Sequence, residues 1–496
     1  MSRFLDPTAT VVVVGGGLTG LVAALRLAER GYRVRLFEAS PRLGGQIHTV
    51  PFHSRSVDVG AEGAFGIMPS LAGLIDELGL DAQVVRPAAG RTLLATGNRI
   101  TTLPPGVGPT GPTRLRPLLD GDLLSVPELL RAAVEPVLAI GHRLGDDEDV
   151  AVGPFLRRRF GAAVTERVVD PLLGNLHAAD VQQLSLRACA PALVTAAQEG
   201  APLSPSVWRQ RSEALPATWR RLRGRCRPPA PSAMPLLNWP GGISTLVHAL
   251  AGRARRHGAS IQACTPVRAV SRDQDLLIVH AEEASIPADA VVLAVPAAVA
   301  SALLTATSTR AATVLAGQSS TSVVTALARF PRSAVPAELA GVNGMLVASR
   351  SQRALKAATL LSNKWPHINK ADDFLIRLSA GRHGGLDVTG VPDDRLVRDM
   401  LADLTALTGL GGATDVLVHR WPDTVPLQLV GHLDRVARAR RVLAEDAPGV
   451  YLAGCAVDGV GMSSCVSSGD RAAEDVMAFL PAITTAGAAQ GGRIGT

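Results

Sequence analysis

The chain has 496 residues, of which 47% are hydrophobic and 19% charged, as expected for a globular protein of about three domain-sized units. Its 50 Lys and Arg residues exceed its 43 Asp and Glu residues, so an anionic partner is favoured. Aromatic residues make up only 3%, and no run of aromatics accompanies the arginine-rich segment, which argues against nucleic acid as that partner.

The five cysteines are an odd number without a CxxC pair, so we expect a reducing compartment, no structural disulfide and no metal site. They are Cys189, Cys226, Cys264, Cys455 and Cys465. The start of the chain lacks the charged lead and apolar core of a signal peptide. Two apolar stretches, 11–28 and 290–304, are too short or too interrupted to span a membrane. We therefore predict a cytoplasmic protein whose membrane contact is peripheral at most.

The first motif combines a strand, a glycine loop and a helix. Val11–Val14 predicts a strand buried on both faces, which leads into GxGxxG at 15–20 and a predicted helix at 21–29. A second strand is predicted at 33–37, and Glu38 follows it directly. Glycines at these positions allow a tight turn and the close approach of a pyrophosphate, and the acid suits a ribose hydroxyl pair. The order of these features predicts dinucleotide binding.

A second glycine-rich segment after Glu38 indicates which dinucleotide is bound. Arg42, Gly44 and Gly45 follow the acid, and the sequence DVGAE comes at 58–62. These residues would hold further backbone against a pyrophosphate and a ribityl chain, an enclosure that a mobile NAD does not need. The pattern resembles the superfamily of FAD-containing amine oxidases, phytoene desaturases and protoporphyrinogen oxidases, and it favours FAD over NAD.

The pattern changes after a predicted helix that begins at Pro69. Residues 82–103 alternate as short strands, with Arg91 in a turn, and a loop rich in proline and glycine follows. Helical periodicity then begins at Ser125, a predicted N-cap, and continues to about residue 198. Pro136 is expected to kink or split the first of these helices.

Two segments carry no regular pattern. The arginine-rich segment 202–235 is either a solvated basic loop or a patch for a membrane surface or another anionic partner. The tail 483–496 is rich in alanine and glycine, and we predict that it is disordered.

The second half of the chain returns to strands and helices. Strands are predicted at 260–261, 266–271, 288–296, 321–330, 342–347, 359–361, 374–379, 416–420 and 448–457. Helices are predicted at 244–257, 297–304, 393–407 and 467–479. The predicted fold class is α/β. The resemblance to the FAD-containing superfamily implies a Rossmann-like FAD-binding domain built from discontinuous segments, a mixed-sheet substrate domain and a helical subdomain. We expect the FAD-binding domain at 1–90, 236–300 and 446–482, the substrate domain at 91–124 and 301–445, and the helical subdomain at 125–235.

Nearly the whole chain resembles the oxygen-dependent protoporphyrinogen and coproporphyrinogen oxidases of the bacterial type. The matching segments are FLRRRFG at 155–161, DPLLGNLHAAD at 170–180, LSLRACAP at 184–191, WPGGISTLVHAL at 239–250, ADAVVLAVPA at 288–297, SNKWPH at 362–367, VGHLDRVAR at 430–438 and LAGCAVDGVGMSSCVSSG at 452–469. The resemblance implies oxidation of a porphyrinogen in haem biosynthesis by three two-electron steps. In each step a hydride passes to flavin, and dioxygen reoxidises the flavin to give hydrogen peroxide.

The resemblance also implies which residues contact FAD and substrate. Those expected to line FAD are Gly15, Gly16, Gly17, Leu18, Thr19, Gly20, Glu38, Ala39, Arg42, Gly44, Gly45, Gln46, Gly60, Ala61, Glu62, Val267, Trp421, Gly454, Val460, Gly461 and Met462. Those expected near the porphyrinogen are Arg91, Asn175, His177 and Lys364. The family has no agreed protein base, so no catalytic residue is assigned.

For three of the substrate assignments, the alternative is that the residue has only a structural role. Arg91 could be a surface turn residue, Lys364 could merely cover a sheet, and for His177 a satisfied core histidine is favoured over a proton-transfer role. Two departures from the family, at Pro426–Gln428 and Asn175–His177, bring the substrate preference into question.

Coproporphyrinogen III is the preferred substrate, with handover of the product to the next haem-pathway enzyme. The alternatives are protoporphyrinogen IX, an amine or polyene as substrate, and an inactive porphyrin-binding flavoprotein. With Tyr32 and Tyr451 as the only tyrosines, the aromatic cage of an amine oxidase is hard to build.

Overall fold

The computed structural model describes residues 9–480, except for 67, 113–117, 119–122, 142, 204–235, 275 and 283. All but the first two residues of the predicted basic segment 202–235, Cys226 within it, and the predicted tail 483–496 lie outside the described residues.

A five-stranded parallel sheet forms the centre of the first layer. In spatial order its strands are Ser260–Gln262, Arg33–Phe37, Thr10–Val14, Ala290–Leu293 and Val450–Leu452. Val11, Val12 and Val13 are fully buried, because both faces of the sheet are covered. The sheet thus joins distant parts of the chain, as the sequence predicted, while the predicted domain boundaries stay a prediction.

Helices and a small sheet cover the two faces of the parallel sheet. One face packs against the helices Leu18–Glu29, Pro69–Glu77, Ser244–Arg256 and Met462–Phe479. The other packs against the helices Ala297–Leu304, Thr309–Ala316 and His432–Asp446 and an antiparallel sheet of Val267–Asp273, Leu276–Ala281 and Ser285–Ala288.

A seven-stranded mixed sheet forms the second layer. In spatial order its strands are Asp415–Pro426, Ser320–Pro331, Asp373–Ala380, Ala357–Thr359, Val342–Val347, Arg91–Thr96 and Arg99–Thr102. Val342–Val347 and Arg91–Thr96 run parallel, and the other neighbours run antiparallel. The helix Asp393–Thr408 covers one face of this sheet with an apolar core. The opposite face turns toward the first layer.

A helical layer closes the remaining side. Ser125 and Glu128 form a capping box at its first helix, which splits into Val126–Ala133 and Glu135–Gly141, as Pro136 predicted. The other helices of the layer are Val152–Phe160, Ala162–Val164, Thr165–Gly174, Asn175–His177, Leu186–Cys189 and Pro191–Glu199. Thr165–Gly174 is a π-helix that contains Pro171, which cannot donate to an α-helical ladder.

Several short elements complete the chain. Paired strands are Thr49–Phe52 with Arg55–Asp58, Ala64–Phe65 with Leu236–Leu237, and Val107–Gly108 with Gly111–Pro112. Single turns of helix are Asp81–Gln83, Arg332–Ala334, Ala337–Leu339, Ser349–Ser351, Leu361–Lys364 and Cys455–Asp458. Within the part of the chain that is described, no helix is both long and apolar enough to cross a membrane.

Some local predictions are wrong. Arg91 begins a strand and does not stand in a turn. The predicted strand 359–361 ends at Thr359 and gives way to a short helix, and the predicted strand 448–457 is only three residues long. The last helix begins at Met462, five residues earlier than predicted, because Gly461 at φ 116° and the polar pair after Met462 hide its start.

Candidate functional site

The glycine loop joins the first strand to the helix Leu18–Glu29. A Cβ on Gly20 would lie 1.9 Å from Gly15 O, and one on Gly15, where φ is 106°, would lie 2.4 Å from Ala294 O. Both positions therefore require glycine. Leu18 and Thr19 form the buried first turn, where the partial positive charge of the helix N-terminus favours an anion.

A second glycine segment lies directly against this loop. Gly44 N donates a 2.8 Å hydrogen bond to Gly16 O, and a Cβ on Gly45 would lie 3.3 Å from Gly17 Cα. No side chain separates the two backbones here. Together the two segments form a groove walled by backbone, which we call the cradle (residues 15–20 and 42–46).

Glu38 is fixed at one end of the cradle. Its Oε2 accepts a 2.7 Å hydrogen bond from Gly16 N, and its Oε1 accepts one of 2.8 Å from Ser40 N. Thr265 N donates to Glu38 O, which brings the strand that begins at Val267 close to Glu38 and Ala39. Each carboxylate oxygen keeps a second lone pair that can accept a hydroxyl.

Arg42 and Trp421 hold the side of the cradle against the mixed sheet. Arg42 donates 2.8 Å and 3.1 Å hydrogen bonds to Gly45 O and Ile47 O. Its guanidinium lies 5.6 Å from the Trp421 ring centroid, within cation–π range. The Trp421 indole in turn donates to Val59 O at 3.2 Å.

Gln46 links the cradle to two other predicted segments. Its backbone carbonyl accepts a hydrogen bond from Ala61 N, and a Cβ on Gly60 would lie 2.0 Å from that same oxygen. Its side chain donates to Thr424 O at 2.5 Å and lies 3.7 Å from Cys455 Sγ. Residues from the beginning of the chain (46, 60 and 61) and from its last part (424 and 455) thus meet here.

The far end of the cradle is open and polar. Gly454 and Gly461 have φ angles of 105° and 116°, and a Cβ on Gly461 would meet nothing within 4 Å. Val460 and Gly461 lead into the last helix, which begins at Met462. Around this end, three buried polar atoms have no hydrogen-bond partner among the described residues: His48 Nδ1, Thr424 Oγ1 and Ser463 Oγ.

These features fit a dinucleotide that ends in a polar ring. The close-packed glycines and the helix N-terminus suit a diphosphate, and Glu38 suits a ribose. The unpartnered atoms near Gln46 suit the heteroatoms of a ring, because buried polar groups are normally hydrogen-bonded. The residues present therefore fit FAD.

One face of the mixed sheet faces the cradle, and we call it the floor. Its first row across the strands is His419, Thr325, Ser379, Ala357 and Leu346, and its second is Leu417, Leu327, Arg377, Thr359 and Gly344. Thr325 Oγ1 donates to Val59 O and Arg377 Nη1 donates to Gly60 O, so the floor adjoins the cradle. Four of its partly exposed residues are small: Ser379, Ala357, Thr359 and Gly344. The Arg377 side chain between them is drawn toward Gly60 O and Glu62, so these four leave an even surface for a flat molecule.

Glu62 and Lys364 pair with each other in a buried cluster. Glu62 Oε1 accepts 2.8 Å hydrogen bonds from Lys364 and from the Trp365 indole, and Oε2 lies 2.8 Å from Arg377 Nη2. Burial alone would raise the pKa of Glu62, but Lys364 and Arg377 outweigh burial and lower that pKa to about 2. Glu62 therefore compensates the charges of Lys364 and Arg377.

Arg91 lies away from the floor. Alternate residues of a strand face opposite sides, and its neighbours Thr92 and Leu94 pair with the floor residues Gly344 and Leu346. The exposed Arg91 side chain donates to Glu338 O at 2.6 Å. Its position does not support the predicted carboxylate contact and agrees with the surface alternative.

Asn175 and His177 sit between the helical layer and the floor. Asn175 Nδ2 donates to Pro171 O at 2.7 Å and to Val347 O at 3.2 Å. His177 is 3% exposed, and burial lowers its pKa to about 4. Its Nδ1 lies 3.8 Å from Cys189 Sγ, so a neutral core histidine describes it better than a proton-transfer group.

Sequence reasoning missed three groups around the floor. The His419 ring packs edge-to-face against Trp421 with centroids 4.5 Å apart, and Arg382 donates at 3.1 Å to Asn175 Oδ1. Lys356 is 7% exposed beside Ala357. Only one signal could have found any of them: the 50 basic residues include just three lysines, Lys356, Lys364 and Lys370, all within 15 positions.

Known flavin-dependent oxidases resemble this chain over almost its whole length. The profile of the flavin-containing amine oxidoreductases matches residues 18–477. The coproporphyrinogen III oxidase of Propionibacterium freudenreichii is 32% identical over 94% of this chain and 90% of its own length. The coproporphyrinogen III oxidase of Bacillus subtilis is 27% identical over 96% and 99%, and the protoporphyrinogen oxidase of Bos taurus is 28% identical over 95% and 99%.

Solved structures agree over the same extent. A chain from Exiguobacterium sp. 255-15, assigned to the protoporphyrinogen oxidases, superposes with a TM-score of 0.79 at 27% identity, over 94% of this chain and 98% of its own. Cyclohexylamine oxidase from Brevibacterium oxydans superposes with a TM-score of 0.66 at 17% identity, over 95% and 99%, and shares the fold.

Proposed function

The chain belongs to the flavin-containing amine oxidoreductase family and is an FAD-dependent oxidase, and from this premise we propose that it oxidises coproporphyrinogen III to coproporphyrin III. We further propose dioxygen as the electron acceptor, hydrogen peroxide as the second product, and handover of the porphyrin to the next enzyme of haem synthesis.

One observation carries this proposal: a floor of small residues adjoins the cradle and is bordered by cations. Ser379, Ala357, Thr359 and Gly344 leave room for a broad, flat molecule. Lys356 and Arg382 border it with basic side chains, and Arg377 within it is paired with Glu62. A porphyrinogen is broad, apolar at its centre and carboxylated at its edge, so it matches both properties.

The residues of this chain have three tasks in such a reaction. The cradle residues would hold FAD, which when bound supplies hydride acceptance and reoxidation by dioxygen. The floor would orient the macrocycle so that one meso carbon faces the far end of the cradle. The buried Glu62–Arg377 pair fixes the floor to the cradle and thereby sets the distance between them.

An amine substrate is disfavoured by where the tyrosines lie. Tyr32 follows the first helix of the parallel sheet layer, and Tyr451 is a strand residue of that sheet and packs on Phe479. Neither lies on the floor. The aromatic side chains near the cradle are those of His48, His419 and Trp421, and they pack on one another.

Porphyrin fluorescence tests the proposal. Purified protein with bound FAD should convert non-fluorescent coproporphyrinogen III to fluorescent coproporphyrin III in air, with three peroxides formed per porphyrin. A larger kcat/KM for coproporphyrinogen III than for protoporphyrinogen IX would support the substrate assignment, and the opposite order would overturn it. A flavin-loaded protein that binds coproporphyrin without producing it would point to a binding protein.

A peripheral membrane contact is proposed from the first split helix of the helical layer. One side of the two helices Val126–Ala133 and Glu135–Gly141, with Val134 between them, exposes five apolar residues: Val126 at 70%, Leu130 at 65%, Val134 at 43%, Val137 at 75% and Ile140 at 77%. Their spacing of three or four residues places them on one helical face, which we call the apolar stripe. Such a face can lie in a lipid interface without spanning it.

A further inference from the structure

Lys356 is a buried cation without a counter-ion. It is 7% exposed, and within the described residues its ammonium has no hydrogen-bond or ion-pair partner. Burial first, and then the charges of Arg382 and Arg377, lower its pKa to about 7. The Lys356 side chain is therefore mostly buried with no acid beside it, an arrangement that an anionic ligand would stabilise.

A bulge in the mixed sheet brings Lys356 to the floor. Lys356 N donates to Ser379 O at 2.8 Å, and Ala357 pairs with the same Ser379, so two residues oppose one. The preceding Leu355 packs into the core beneath the sheet. The influence of the floor residue Arg377 on Lys356 agrees with an ammonium on the floor side.

Arg382, close to Lys356, is a second cation with a hydrogen-bond donor that lacks an acceptor. Its Nη2 donates to Asn175 Oδ1 and Val347 O, both at 3.1 Å, whereas its buried Nη1 has no acceptor among the described residues. Val347 N donates to Lys356 O, so Val347 contacts both residues. Asp170 and Asp180 are the acids that act on Arg382, and Asp170 is already bound by Ser349 N and Oγ.

These two cations lie at the side of the floor remote from the cradle. His419, beside Trp421 and Arg42, begins the first floor row, and Ala357, next to Lys356, stands three strands further on. At about 4.8 Å per strand the separation is about 14 Å. That span suits a tetrapyrrole with one meso carbon at the cradle and an acidic side chain at the opposite edge.

We propose that Lys356 and Arg382 together bind a carboxylate of the substrate at the edge of the floor remote from the cradle. The inference rests on the proposed function and names the recognition site within it. It makes Lys356 a specificity residue for acidic tetrapyrroles and assigns no chemistry to it. Arg382 is held by Asn175, which gives Asn175 a positioning role.

The test is the substitution Lys356→Met, with Lys356→Gln as a second neutral variant. Binding of coproporphyrin III is measured by fluorescence on flavin-loaded protein, and KM and kcat are measured with coproporphyrinogen III. We expect the dissociation constant and KM to rise at least tenfold and kcat to change less than twofold. The uncharged tetramethyl ester of coproporphyrin, in detergent, should bind the wild type and both variants equally.

Stability separates this role from a structural one. Removal of an unpaired buried ammonium should leave the melting temperature unchanged or raise it, with full flavin content. Lys370→Met, at an exposed lysine outside the floor, should alter neither binding nor stability. Folded variants that bind coproporphyrin III like the wild type would overturn the inference, as would a loss of affinity that only follows a fall in melting temperature.

Failure of the inference is distinguishable from failure of the proposed function. A wild type that converts coproporphyrinogen III, with variants that bind as tightly, removes the role of Lys356 alone. A wild type that binds coproporphyrin through Lys356 but does not convert coproporphyrinogen removes the proposed function and leaves the carboxylate site.

Discussion

Arg377 of the mixed sheet reaches Glu62 of the first layer at 2.8 Å and also donates to Gly60 O at 2.7 Å. One side chain therefore joins the floor to the segment that packs on the cradle. The Glu62 carboxylate is buried and also accepts hydrogen bonds from Lys364 and Trp365. The stability of this joint, the Arg377–Glu62 contact between the two layers, therefore depends on the negative charge of Glu62.

This joint predicts how stability depends on pH. The pKa of Glu62 falls from 4.5 to about 2 in the folded state, so its contribution, about 3 kcal/mol, is present above pH 4.5 and lost as pH falls toward 2. Glu62→Gln should cost several kcal/mol at pH 7, because it leaves two partly buried cations uncompensated. Urea unfolding from pH 7 to pH 2 should show the two proteins converging, and a constant difference would contradict this.

The cradle predicts a strict requirement for glycine at position 20. Gly20→Ala places a Cβ 1.9 Å from Gly15 O and should weaken FAD binding at least tenfold, measured by flavin absorbance after dialysis. Gly73→Ala is the matched control, since a Cβ there meets nothing within 4 Å in the middle of a helix. It should retain flavin and gain about 0.5–1 kcal/mol of stability.

The position of Arg91 predicts that its substitution has little effect on substrate binding. Arg91→Ala removes an exposed side chain on the face opposite the floor, so KM for coproporphyrinogen III should stay within twofold. A tenfold rise in KM without loss of stability would return Arg91 to the substrate site.

The apolar stripe predicts binding to membranes. Flotation with vesicles that contain anionic lipid should recover the wild type, and Val137→Asp combined with Ile140→Asp should reduce recovery at least fivefold. Val299→Asp, at another exposed apolar residue on the far side of the parallel sheet, should leave flotation unchanged. Equal recovery of all three proteins would exclude the stripe as the contact.

The parts of the fold with strong local signals could be predicted from the sequence. The sequence directly predicts the strand Val11–Val14 and the glycine turn at 15–20, because a buried strand and a glycine turn each need particular residues. The helix His432–Asp446 was missed, since its run of arginines hides a narrow buried face. The start of the last helix was missed because Gly461, at positive φ, resembles a loop residue.

The cradle and the floor also differ in how far the sequence alone could predict them. The cradle depends on backbone and is local in sequence, so Glu38, Gly44 and Gly45 could be named in advance. The floor depends on register between strands that are far apart in the chain, which places Ser379 beside Ala357 and Arg91 on the opposite face. Side-chain partners such as Glu62 for Lys364 likewise follow only from packing.

The central claim is that the cradle would hold FAD next to an acidic tetrapyrrole on the floor, so that the bound cofactor could accept the electrons of the tetrapyrrole. The most direct measurement is the reaction of flavin-loaded protein with coproporphyrinogen III in air, followed by porphyrin fluorescence and peroxide release. The account predicts porphyrin formation with three peroxides per molecule. Protein that carries FAD yet leaves coproporphyrinogen III and protoporphyrinogen IX unchanged would contradict it.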